Sequence, residues 1–93
     1  MKNNEFLIRA DEHIELANRQ LSETTKQGDV SASLLYAAAR FNAWMASTSF
    51  ESAETMAEEK EKVIEYFLEQ YKLALNENID NHIENYDFSK NDV

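Results

Sequence analysis

Apolar residues recur at three- and four-residue steps along three stretches of this chain, and each stretch predicts a helix with a different face. From Asn4 to about Gln27, the residues Phe6, Leu7, Ala10, Ile14, Ala17 and Leu21 fall within an arc of about 100° on a helical wheel. That is a one-sided helix. Asn3 or Asn4 supplies its N-cap, Lys26 suits the dipole of its last turn, and Gly28 stands where a helix closes on a left-handed residue. Ile8 and Leu16 lie off the stripe and are too few to form a second face.

The second stretch follows Asp29 or Ser31, either of which can cap a helix over 30–48. Here Leu34, Leu35, Ala37, Ala38, Ala39, Phe41, Trp44, Met45 and Ala46 cover an arc of about 220°, leaving a narrow polar side with Ser33, Tyr36, Arg40, Ala43 and Ser47. So wide an arc needs more than one neighbour. The alanines allow close approach of other helices, and Phe41, Trp44 and Met45 supply bulk at one end.

Ser47-Thr48-Ser49-Phe50-Glu51-Ser52 is rich in capping residues and reads as a turn. Thr48 with Glu51 fits a capping box, and Ser49 or Ser52 fits equally well as the cap. The third pattern runs without a breaker through Ala53, Met56, Ala57, Ile64, Phe67, Leu68, Tyr71, Ala74, Leu75, Ile79, His82, Ile83 and Tyr86. An eleven-residue spacing (Ala53, Ile64, Leu75, Tyr86; Ala57, Leu68, Ile79) holds throughout and favours a nearly straight helix. About 35 residues would span about 50 Å, so its last third calls for cover, which a second copy of the chain would provide economically.

The expected fold is therefore all-α: a small three-helix up-down bundle with helices at about 4–27, 30–48 and 51–87. The long third helix is read as continuous, with a kink at Asn76–Asn78 as the alternative. One domain fills 1–93, with 88–93 a frayed tail.

Composition narrows what such a bundle could do. With one Gly, no Pro and 93 residues, the chain lacks the turn residues that a sandwich or barrel requires. The absence of Cys excludes a disulfide framework, a redox pair and any thiolate nucleophile or metal site. No apolar run approaches a membrane span, and the N-terminal residues lack a signal-peptide core, so a cytoplasmic location is expected. Nine basic residues scattered among eighteen acidic ones, for a net charge of −9, argue against nucleic acid as a partner.

Candidate chemistry is sparse. Neither His13 nor His82 has a Glu three residues before it, so the Glu-x-x-His signature of di-iron bundles is missing. No HExxH, phosphate loop, nucleophile elbow or EF-hand loop occurs, so no catalytic, cofactor-binding or metal residue is assigned.

Asn42 is more telling, because it lies within the apolar arc of the second helix, where an unpaired amide costs about 1–3 kcal/mol. Asp11, Asn18, Lys60 and Asn78 are the polar groups available to it. A buried network fixing helix register is the first reading, and a small-ligand pocket between helices is the second. Tyr36 and Arg40, four residues apart, form either an exposed recognition pair or a solvated Arg over an aromatic ring, or the Arg pairs with an acid of the third helix. Trp44 serves as a core anchor or as a partner contact.

Arg9-Ala10-Asp11, Leu16-Ala17-Asn18, the run Val30-Ser31-Ala32-Ser33-Leu34-Leu35-Tyr36-Ala37-Ala38-Ala39-Arg40-Phe41-Asn42-Ala43, and later Glu65-Tyr66-Phe67, Gln70-Tyr71 and Glu77-Asn78-Ile79-Asp80 resemble a family of short bacterial helical proteins known as a domain of unknown function. The resemblance covers about residues 6–86, and the run 30–43 is its specific part. It implies a bacterial, cytoplasmic, helical protein and brings no activity or cofactor. The expected function is a non-enzymatic interaction module, either homodimeric or bound to another protein. The alternative is a small-ligand or regulatory domain with a polar pocket built from Asp11, Asn18 and Asn42.

Overall fold

The computed structural model describes residues 2–90, and among these every regular element is helical. Four α-helices occur in the order α1 (Asn4–Arg19), α2 (Gln27–Ser47), α3 (Ala53–Glu58) and α4 (Lys60–Asn85), followed by a short 3-10 turn at Phe88–Lys90. The frayed tail expected over 88–93 is therefore a turn at its start, and 91–93 lie outside the described residues. The chain divides into two compact units, the first ending at Met45 and the second beginning at Ala46.

In the first unit, α1 starts as its sequence dictates. The Asn3 side chain accepts a hydrogen bond from the Phe6 amide at 2.8 Å, filling one of the four donors that a helix start leaves open. The helix stops well short of the expected Gln27. Ser22 is the reason: its hydroxyl accepts from the amides of Thr24 and Thr25, at 3.2 and 3.0 Å, while its own amide donates to the Thr25 carbonyl. Hydroxyl side chains that satisfy nearby backbone donors compete with helix propagation, and the run Ser22-Glu23-Thr24-Thr25 concentrates them.

Gly28 is consequently not the stop of α1. It lies in the first turn of α2, and no glycine among the described residues has positive φ. The cap is built one turn earlier than expected. Asp29 sits inside the helix and its carboxylate accepts the Lys26 amide at 3.0 Å, while the Lys26 carbonyl accepts the Val30 amide. An acid three residues into a helix, reaching back to the capping residue's amide, is half of a capping box and also suits the dipole. Val30, 6% exposed, is the one buried residue described; Ala10, Ala17 and Thr25 are half-buried.

In the second unit, the capping box falls on Ser52 and Thr55 rather than on Thr48 and Glu51. Ser52 Oγ accepts from the Thr55 amide at 3.1 Å, and Thr55 Oγ1 accepts from the Ser52 amide at 3.3 Å. The third apolar pattern is not one helix. It breaks at Glu59, whose φ of −100° and ψ of 6° close α3 and open α4, and Ala53 and Ala57 are left on α3, apart from the rest of the eleven-residue spacing.

The charge run explains the break. Glu58 and Glu59 stand at the C-terminal end of α3, where carboxylates oppose the dipole, whereas Glu59 and Glu61 suit the N-terminal end of α4. Helix α4 then runs unbroken through Asn76–Asn78, and its 26 residues span about 39 Å. The Asn78 side chain donates to the Ala74 carbonyl of its own helix at 2.8 Å, so its amide is satisfied one turn back without leaving the helix. The units are described separately, so the up-down order of a three-helix bundle is not part of the observed fold.

Candidate functional site

Helix α2 carries the least charge of any long element: between Asp29 and Glu51 the one charged side chain is Arg40. A helix apolar around most of its circumference is ordinarily buried. Here it is open. Leu34 is 41% exposed, Leu35 55%, Phe41 63%, Trp44 61% and Met45 44%.

The candidate residues of the first unit take distinct places on this surface. Phe41 and Trp44 pack ring on ring, with centroids 5.4 Å apart, a contact that rigidifies the bulky end of the face. On the narrow polar side the Arg40 guanidinium lies 6.0 Å from the centre of the Tyr36 ring, at the outer limit of a cation–π contact, and both side chains are exposed. Asn42 is half-buried, and its amide forms no hydrogen bond among the described residues. Asp11 and Asn18 are exposed on α1. The structure thus joins Tyr36 to Arg40 and Trp44 to Phe41, and leaves the Asn42 side chain bonded to no other described residue but within reach of water.

In the second unit two shallow apolar hollows open. One, of about 280 Å³, lies between the end of α2, the turn and the start of α4, lined by Ala46, Ser49, Phe50, Glu59, Lys62, Val63, Tyr66 and Phe67. Phe50 and Tyr66 carry no weight in a reading of helical stripes: Phe50 sits in a turn and Tyr66 lies off the main face. The available signal was a large aromatic residue placed between capping residues, where polar side chains usually stand. Ser47 Oγ, 3.6 Å from the Met56 sulfur, ties the end of α2 to α3 beside it.

The second hollow, about 380 Å³, is lined by Leu75, Asn78, Ile79, His82, Ile83 and Phe88. Its polar groups are spent on the helix itself. The His82 ring donates from Nδ1 to the Asn78 carbonyl at 2.9 Å, and Asn78 donates to Ala74. Tyr86 stacks edge-on with Phe88 at 4.9 Å and lies 6.0 Å from the His82 ring.

No three His, Asp or Glu side chains among the described residues gather as a metal-binding group, and no described helix is long and apolar enough to cross a membrane. What the surface offers is apolar area.

A family model described as "Protein of unknown function (DUF3144)" matches residues 6–83. No curated protein and no solved structure matches the chain.

Proposed function

The chain belongs to the DUF3144 family, and from that premise we propose that this member is a non-enzymatic helical interaction module that works as a homodimer. The observation that carries this reading is the apolar side chains that α2 and α4 each leave exposed. Helices that leave Leu35, Phe41, Trp44, Leu68, Ile79 and Ile83 half or more exposed, with Val30 the one buried residue among those described, have not finished removing apolar area from water.

A standard interface covers roughly 800 Å² per partner. Obligate homodimers cover more than that, and with more apolar surface. A second copy supplies a matching surface without any other gene product. The net charge of −9 is carried by the wet faces and keeps the assembly from associating further.

Size-exclusion chromatography with light scattering tests the proposal. A species of about 22 kDa, twice the chain mass, is expected across a hundredfold dilution; a concentration-independent monomer of about 11 kDa overturns it.

A further inference from the structure

We propose that α2 packs against α2 of a second copy of this chain about a twofold axis passing close to Asn42, so that the two Asn42 amides hydrogen-bond each other inside the seam. This rests on the homodimer reading above and goes beyond it by naming the surface and the residue that sets its register.

Three observations converge on α2. The first is charge. Each chain carries −9, so a self-association surface must avoid placing carboxylates opposite carboxylates. Helix α4 offers an apolar stripe but flanks it with Glu61, Glu65, Glu69, Glu77, Asp80 and Glu84 against three lysines. Beyond Asp29 in its first turn, helix α2 has Arg40 alone. Arg40 lies about 160° around the helix from Asn42, so it stays in water with Tyr36 when the Asn42 side faces its twin.

The second observation is the amide. Asn42 is half-buried, flanked within about 40° by Leu35, Ala38 and Ala46, and has no hydrogen-bonding partner among the described residues. A carboxamide both donates and accepts, so it is complementary to a copy of itself. Across an α2–α2 seam, Asn42 of the second copy is the amide available to it. A single buried Asn pairing with its counterpart is a known means of fixing helix register and oligomer state.

The third is area. On the Asn42 side, Leu35, about 20° from Asn42, is 55% exposed and Met45, about 60° from it, is 44% exposed, so this side holds apolar surface for a second copy to cover, while Phe41 and Trp44 lie toward the opposite side.

The chain has no cysteine, so a single introduced thiol reports its own surroundings. In the full-length chain, Asn42→Cys is compared with Arg40→Cys under mild oxidation, with wild-type light scattering in parallel. Disulfides form where Cα atoms approach within about 7 Å, so N42C is expected to cross-link at least tenfold faster than R40C. A dimer in which R40C links as fast as N42C, or in which Ile79→Cys on α4 links and N42C does not, overturns this inference and leaves the homodimer standing. A wild-type monomer overturns both. If N42C loses its helical circular dichroism, a mixture of Ala38→Cys and Ala46→Cys chains replaces it. Like pairs are expected for parallel helices and unlike pairs for antiparallel ones, and the absence of both refutes the seam.

Discussion

Gly28→Ala is the substitution whose sign separates two readings of one residue. If Gly28 ended α1 with a left-handed conformation, adding a Cβ there would strain the backbone and destabilise the chain. The structure instead places Gly28 in the first turn of α2 with no positive φ, and a Cβ built on it meets nothing within 4 Å. Neither strain nor clash opposes the change. Alanine is favoured over glycine by about 0.8–1 kcal/mol in a helix interior. In a first turn, with fewer backbone bonds at stake, about 0.5 kcal/mol remains. For a chain of this size 1 kcal/mol corresponds to about 4–8 °C, so G28A is expected to raise the melting temperature by about 2–4 °C. Thermal unfolding followed at 222 nm, at fixed protein concentration, provides the measurement. A fall in melting temperature, or a loss of helical signal at 20 °C, would refute the placement of Gly28 inside α2.

Other substitutions probe the caps and the seam. Leu35→Ala keeps helix propensity nearly constant and removes a side chain that is 55% exposed; covering that fraction is worth about 1–1.5 kcal/mol per chain. The two copies of a dimer double this, so sedimentation velocity should show a dissociation constant raised about 30- to 150-fold, and an unchanged constant counts against α2 as the interface. Asn42→Leu is expected to leave association intact or tighter while replacing one defined dimer with a mixture of states in light scattering; a single unaltered dimer would show that the amide sets nothing. Ser52→Ala removes the side-chain acceptor of the Thr55 amide, and should cost about 1 kcal/mol together with faster hydrogen exchange at Thr55. No change in that exchange would show that the cap is not populated in solution.

Much of the fold was legible because helices announce themselves locally. The three- and four-residue spacing of apolar positions marked α1, α2 and α4, and Asn3 capped where a short polar side chain before an apolar stripe is expected to cap. The boundaries were harder. At residues 20–28, a lone glycine suggested a stop, whereas the Ser22 hydroxyl had already closed the helix by accepting from the Thr24 and Thr25 amides. At Glu59, apolar periodicity suggested continuity, whereas carboxylates opposing one dipole and suiting the next divided the pattern. Both cases turn on short-range polar competition, which a count of apolar spacing does not register.

The candidate surface was half legible. The breadth of the α2 arc showed that it needs covering on several sides, and the lone Asn42 showed that its cover must offer a hydrogen bond. Whether the rest of the same chain provides that cover is a question of tertiary contact, to which periodicity is blind. The sequence alone determined helix type, the low charge of α2 and the absence of thiol chemistry, because these depend on composition and local backbone preference. The structure decided where local polar bonds stop the helices, that Tyr36 meets Arg40 and Phe41 meets Trp44 along one helix, and which side chains each unit buries, Val30 among them. Burial depends on what stands opposite a side chain, and a helical wheel contains no opposite side.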